Sequence, residues 1–171
     1  WCPANTKAAD VRVSNNVGVR LDSFVANPGL AMADAAFTAN TVQHCAYNCF
    51  DVGANSDMPV RDLTIEDNVF LRDVPQALYV FGVCDVNLGS VTGAVVRRND
   101  FNGRGESEGG VDGCAMVAAG IGTGIELSGN TVARSWGSGV MVLNTVKGGL
   151  RVNISGNDFQ HAGCRNDRMG Q

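Results

Sequence analysis

With 171 residues, of which 44% are hydrophobic, the chain is long enough to bury a core, and its composition excludes a disordered protein. The net charge of −4 offers no basic excess to neutralise phosphates, which argues against nucleic acid as a partner. No apolar run reaches the ~18 residues that a membrane span requires. The chain begins Trp1-Cys2-Pro3 without a recognisable signal peptide, which indicates a processed product or an excised segment.

The cysteine content indicates the compartment. The even number of six, without a convincing zinc-binding spacing, favours disulfides and therefore an extracellular or cell-surface location. The alternative is six buried thiols in a cytosolic protein. The predicted disulfide cysteines are Cys2, Cys45, Cys49, Cys84, Cys114 and Cys164.

Six segments along the chain share one pattern of apolar residues around an asparagine. Apolar residues lie five and three positions before the asparagine and two positions after it, and this period of two predicts a β-strand. The first segment fits less well, because Gly18 takes the last apolar position. The asparagines, spaced 24 to 31 residues apart, are Asn16, Asn40, Asn68, Asn99, Asn130 and Asn157.

A second strand is predicted to follow each asparagine, and its apolar residues can be placed in four of these units. Its two apolar residues come ten and twelve positions after the asparagine in three units. The unit of Asn99 fits only if six extra residues fall within 102–113. The predicted apolar pairs are Phe50 with Val52, Leu78 with Val80, Ala115 with Val117, and Val140 with Val142.

Two strands and a return segment, always in one order, predict an all-β fold. We expect a single-stranded right-handed parallel β-helix, a solenoid of about six coils that forms one domain, 1–171, or belongs to a longer chain or a polymer. The asparagine should sit at a bend in left-handed geometry, with its amide stacked on the next. A β-sandwich is the alternative, but it gives no reason for the repeated asparagine. The inward columns should be Phe37, Ile65, Val96, Leu127 and Ile154, and Val42, Phe70, Phe101, Val132 and Phe159.

The repeated motif, such as Ile-Ser-Gly-Asn-Asp-Phe at 154–159, resembles the parallel β-helix repeat of the pectin-lyase-like superfamily. The resemblance extends over about 11–163 and implies a fold without implying one activity. That superfamily includes polysaccharide lyases, hydrolases, epimerases, phage tailspikes, adhesins and non-catalytic surface proteins. The Asn-Thr-Asp, Asp-Asp and Gly-His-Gly motifs of polygalacturonase-like hydrolases are absent from this sequence, as is the Asp-Pro-His motif of alginate epimerases.

Two arginines are candidate catalytic or substrate-binding residues. In the predicted register, Arg97 lies beside Glu66 on the neighbouring coil, and Arg98 lies beside Asp67. In a lyase-like role, one of these arginines would bind the substrate or act in catalysis where a proton is abstracted next to a uronate, the carboxylate-bearing sugar of an acidic polysaccharide. The other interpretation, which we favour, is a pair of ion pairs on the outer face.

The insertion within 102–113 carries the other candidate groups. Glu106, Glu108 and Asp112 could act as acid and base in hydrolysis, or bind Ca²⁺ as the only cofactor considered. A solvated acidic loop is the simpler interpretation. The sequence therefore assigns no catalytic set and no metal site.

The segment from His44 to Cys49 resembles a metal site most closely, but we favour a local Cys45–Cys49 disulfide there. Cys49 and Cys114 are predicted to share a column two coils apart, ~9.6 Å at the strand spacing, which exceeds the ~7 Å limit for a disulfide. Cys2 and Cys164 lie near opposite ends, where they could join subunits.

Two functions remain open. The first is a secreted structural subunit of an extracellular filament, sheath or surface appendage that self-associates head to tail by end-to-end stacking, because a β-helix ends in unpaired strand edges. The second is a polysaccharide-binding or polysaccharide-degrading module, which rests on the fold alone. The sequence provides little support for an enzyme.

Overall fold

The computed structural model describes residues 7–21, 23–27, 31–45, 48–53, 60–71, 84–102, 114–119, 122–133, 139–143 and 150–160. All regular elements in these ranges are β-strands, and none is a helix. In chain order they are β1 (Lys7–Ala9), β2 (Arg12–Ser14), β3 (Val17–Leu21), β4 (Val25–Asn27), β5 (Ala31–Thr38), β6 (Thr41–Cys45), β7 (Phe50–Val52), β8 (Val60–Glu66), β9 (Val69–Leu71), β10 (Cys84–Leu88), β11 (Val91–Arg97), β12 (Asp100–Asn102), β13 (Cys114–Ala119), β14 (Gly122–Ser128), β15 (Thr131–Ala133), β16 (Val140–Leu143), β17 (Leu150–Ser155) and β18 (Asp158–Gln160).

The strands form three parallel sheets. The first has the order β1-β5-β8-β11-β14-β17, with β2 also paired to β5. The second has the order β3-β6-β9-β12-β15-β18, and the third has the order β4-β7-β10-β13-β16. The chain visits the sheets in a constant order, as in β5, β6, β7 and then β8, β9, β10. The fold is therefore an all-β parallel solenoid, as the repeat predicts, and we call one passage through the three sheets a coil.

Each predicted first strand divides into two strands at a bend next to the asparagine. The residue before the asparagine takes a positive φ, for example 54° at Ala39, 56° at Asp67 and 53° at Arg98. The expectation that the asparagine itself is left-handed is wrong by one residue. The preceding residue turns the chain, and the asparagine can then direct its side chain inward, where Asn40, Asn68, Asn99 and Asn130 are buried.

The two predicted inward columns are confirmed by the strand register. Phe37, Ile65, Val96 and Leu127 are paired in succession and are buried. The second column includes Phe70 and Phe101, whose rings stack 4.7 Å apart at an interplanar angle of 6°. Phe50 of the third sheet packs against Phe70 at 5.4 Å, so one core joins the three sheets.

The third sheet differs in part from the prediction. The strand beside β7 is β10, in which Val86 lies opposite Phe50. Val86 and Leu88 therefore occupy the positions predicted for Leu78 and Val80, and the strand that continues the sheet begins later than expected. Residues 78 and 80 themselves lie outside the described residues. In β13, Met116 lies opposite Val140, one residue after the predicted position. The connections between sheets vary in length, so a fixed offset from the asparagine cannot set this register, and a shift of one residue exchanges the faces of a strand.

Candidate functional site

The asparagines form a continuous hydrogen-bonded ladder with one direction. The Oδ1 of Asn68 accepts hydrogen bonds from both the backbone N–H and the side-chain amide of Asn40, each at 2.9 Å. The same double contact, at 2.8–3.1 Å, joins every successive pair from Asn16 to Asn157. The ladder therefore satisfies buried amides that would otherwise destabilise the core.

A second set of bonds ties each asparagine after Asn16 back to the preceding coil. The Nδ2 of Asn68 donates to the carbonyl oxygen of Phe37 at 2.9 Å, and the Nδ2 of Asn157 donates to that of Leu127 at 2.8 Å. From Asn40 to Asn130, each side-chain amide thus donates in both directions along the solenoid axis, whereas its Oδ1 accepts from the preceding coil alone. This asymmetry gives the ladder two chemically different ends.

At its first end, the ladder presents an acceptor. Asn16 donates to Asn40 and to the carbonyl oxygen of Ser14, but no donor among the described residues reaches its Oδ1. At the last end, the backbone N–H of Asn157 has no acceptor in the described part of the chain. Asn16 is exposed and Asn157 is half-buried, so other molecules can reach both positions.

The last strands expose side chains that belong to the core columns. Ile154 is 44% exposed, whereas Leu127, its partner on the preceding strand, is fully buried. Phe159 is 43% exposed, whereas its partner Val132 is also fully buried. In the third sheet, Val142 is 47% exposed. This end, which we call the apolar end (Val142, Ile154 and Phe159), shows the interior of the solenoid on all three sheets.

The predicted ion pairs of the outer face are present. Arg97 Nε lies 3.0 Å from Glu66 Oε1, and two nitrogens of Arg98 contact the two oxygens of Asp67 at 3.0 and 3.2 Å. Arg98 also contacts Glu66. The two arginines and two carboxylates neutralise each other, so this cluster presents no net charge to an acidic polysaccharide. A catalytic or substrate-binding role for Arg97 or Arg98 stays a prediction.

The acidic insertion is not covered by the structure. Glu106, Glu108 and Asp112 lie outside the described residues, so acid–base catalysis and Ca²⁺ binding there stay predictions. In the described ranges, no group of three or more His, Cys, Asp or Glu residues is arranged to hold a metal ion. The same part of the chain contains no helix that is long and apolar enough to cross a membrane.

Four of the six cysteines lie within the described ranges. Cys45 and Cys49 form a disulfide with a Cα–Cα distance of 5.4 Å, which confirms the predicted local bridge and uses both sulfurs of the metal-like segment. Cys84 is also disulfide-bonded. The register places Cys84 opposite Cys114 and Val86 opposite Phe50, so Cys49 is one residue out of the Cys114 column. Cys2 and Cys164 lie outside the described residues.

Comparison with protein-family models, with curated proteins and with solved structures finds no match to this chain. The resemblance to the pectin-lyase-like superfamily is therefore supported at the level of the parallel solenoid alone. The ladder ends and the apolar end were not singled out by sequence. The fixed position of the asparagine was the signal that could have revealed the ends, because a ladder with one direction must finish in a donor and an acceptor.

Proposed function

We propose that this protein is a secreted structural subunit that assembles end to end into an extracellular filament, sheath or surface appendage. The observation that carries the proposal is the apolar end, where core side chains on all three sheets remain in contact with solvent. Large exposed apolar patches mark interaction sites. Another coil placed on this end would bury Val142, Ile154 and Phe159 as the coils within the molecule bury their equivalents.

The backbone supports the same proposal. The strands β16, β17 and β18 are the last in their sheets and leave one edge without a partner strand among the described residues. Unpaired edges bind further strands unless they are blunted or covered. Apolar side chains and open edges at the same end favour addition of a coil over lateral binding.

The finer description of the fold belongs to this proposal. We take the solenoid to be a right-handed parallel β-helix of about six coils, related in architecture to the pectin-lyase-like proteins. The ladder of asparagines and the seven, five and six strands of the three sheets support that count. The right-handed winding of the solenoid is supported by the general rule that about 98% of parallel crossover connections are right-handed.

The proposal is tested by assembly measured against concentration. We expect the protein to form species much larger than 17.9 kDa in sedimentation velocity, and we expect Ile154→Glu to abolish them, because a charge at the apolar end would be buried. The matched control is Thr92→Glu, which adds the same charge at an exposed position of β11, within the solenoid. Wild-type protein that stays monomeric at high concentration would refute the proposal, as would equal loss in both variants.

A further inference from the structure

The direction of the asparagine ladder determines how two copies can meet, provided that the proposed end-to-end assembly occurs. Within the molecule, the N–H and Nδ2 groups of one asparagine always donate to the Oδ1 of the next, as Asn130 donates to Asn157 at 2.9 and 2.8 Å. The last asparagine therefore presents donors and the first presents an acceptor. Two copies that meet through their last ends would oppose donors to donors, and through their first ends they would oppose acceptor to acceptor.

We propose that copies of this chain bind head to tail, with the amide of Asn157 in one copy donating to the Oδ1 of Asn16 in the next. The contact is heterologous, because different surfaces of the two copies meet. Such contacts either close into rings or continue as open filaments. Since the strands of a solenoid stack along one axis, continuation along that axis gives a filament.

The backbone bonds next to the ladder continue across the same junction. Within the molecule, the N–H of Thr41 donates to the carbonyl oxygen of Asn16 at 2.9 Å, and the N–H of Asp158 donates to that of Asn130 at 2.8 Å. The N–H of Val17 occupies the position of Thr41 in the first coil, so at the junction it meets the carbonyl oxygen of Asn157. The junction thus repeats bonds already present between coils.

The side chains on the two ends match in the same register. Ile154 continues the column that begins at Val13, so these two apolar residues meet across the junction. The register of β17 shifts after Leu150, because Leu150 lies opposite Gly122 whereas Val152 lies opposite Ile125. The exposed Arg151 falls at this shift and so comes level with the Ala9–Asp10 segment of the next copy, where Asp10 is exposed. Opposite charges are thus brought together at the edge of an apolar contact, which favours this register over a slipped one.

Two variants that each block one end distinguish head-to-tail contact from contact between like ends. Val17→Pro removes the N–H at the first end, where proline is tolerated because this edge has no partner strand in the described residues. Ile154→Glu blocks the apolar end. We expect each variant alone to be monomeric and an equimolar mixture to form a heterodimer of twice 17.9 kDa, measured by mass photometry.

The outcomes separate the inference from the proposed function. If wild-type protein assembles but Val17→Pro alone forms dimers, like ends meet and the head-to-tail contact is refuted while end-to-end assembly survives. If wild-type protein is monomeric, the proposed function itself fails. Asp10→Lys serves as a second block of the first end, because its exposed side chain allows substitution without unfolding. Combined with Arg151→Glu it should restore assembly, and failure of that rescue would overturn the proposed register.

A second and independent inference concerns Cys84. It is disulfide-bonded, and Cys45 and Cys49 are bonded to each other. Its partner is therefore Cys2, Cys114 or Cys164. The register places Cys84 of β10 directly opposite Cys114 of β13. Paired residues on neighbouring strands share a face and lie ~4.8 Å apart, within the Cα separation of disulfides. We infer that Cys84 and Cys114 form a disulfide that joins two neighbouring coils.

Peptide mapping tests this inference directly. Trypsin cleaves after Arg72, Arg97, Arg104 and Arg134, and so places Cys84 in peptide 73–97 and Cys114 in peptide 105–134. After thiol blocking and digestion without reductant, we expect these peptides to be linked and to separate upon reduction. Linkage of 73–97 to a peptide with Cys2 or Cys164, or a blocked free thiol at Cys84, would overturn the inference.

Discussion

At the scale of single residues, the asparagine ladder depends on a side chain that accepts and donates at once. Asn68 is fully buried, accepts two bonds from Asn40 and donates to Asn99 and to the carbonyl oxygens of Phe37 and Glu66. Any smaller side chain leaves buried polar atoms of its neighbours without partners, and that cost exceeds the value of the bonds themselves.

We therefore predict that Asn68→Ala lowers the free energy of unfolding by about 3 kcal/mol, since several buried groups lose their partners. Asn153→Ala is the matched control, because Asn153 is exposed on the outer face of β17 and should change stability by less than about 0.5 kcal/mol. Urea titration monitored by circular dichroism measures both values. Equal effects in the two variants would show that the ladder is not a source of stability.

At the bend before each asparagine, a substitution is predicted to raise the free energy of unfolding instead of lowering it. Ala39 has a φ of 54°, where a side chain costs about 1–2 kcal/mol relative to glycine. Ala39→Gly should stabilise the protein by about 1 kcal/mol, after allowance for the greater freedom of glycine in the unfolded chain. Ala36→Gly, within the regular strand β5, should destabilise it by about 0.5–1 kcal/mol. Thermal unfolding measures the change in stability of each variant. Changes of the same sign in both variants would contradict this account of the bend.

At the scale of strands, the sequence predicts the first two sheets better than the third. The alternation around each asparagine defines both strands that flank the bend, because the asparagine fixes their register by bonding to its neighbours. In the described part of the third sheet, side chains such as Asn48 and Asn87 also bond between coils, but no residue type recurs at one position in every strand. The strand from Cys84 to Leu88 follows a longer connection than the one to Phe50, so spacing alone placed it too early. The repeated asparagine signals a ladder with two ends, but which end donates and which accepts follows only from the hydrogen-bond directions, which a sequence does not show.

The column that contains Phe70 and Phe159 predicts different losses of stability for a buried member and for an exposed member at its end. Phe70 is buried between Phe50 and Phe101, so Phe70→Ala should cost about 3–5 kcal/mol. Phe159 belongs to the same column but is 43% exposed, and at a concentration where the protein is monomeric Phe159→Ala should cost about 1–2 kcal/mol. Denaturant unfolding at low concentration measures this difference. Equal costs would show that the end of the column is covered in the monomer.

At the scale of the whole molecule, the solenoid has two unlike ends and an outer face on which Glu66, Asp67, Arg97 and Arg98 form ion pairs with one another. Apolar side chains and hydrogen-bonding groups without partners in the described chain coincide at the ends instead. A structural subunit uses the ends, whereas a polysaccharide enzyme uses a groove on the side. The distribution of chemistry along the described coils therefore favours assembly.

Fibre diffraction from the concentrated protein tests the central claim most directly. Stacking of coils predicts a strong reflection at ~4.8 Å along the fibre axis, and the proposed count of six coils predicts an axial repeat of roughly 29 Å, which is six strand spacings. Both spacings would show that each copy continues the strands of the next. Fibres whose axial repeat is not a multiple of the strand spacing, or a solution that yields no fibres, would contradict end-to-end assembly.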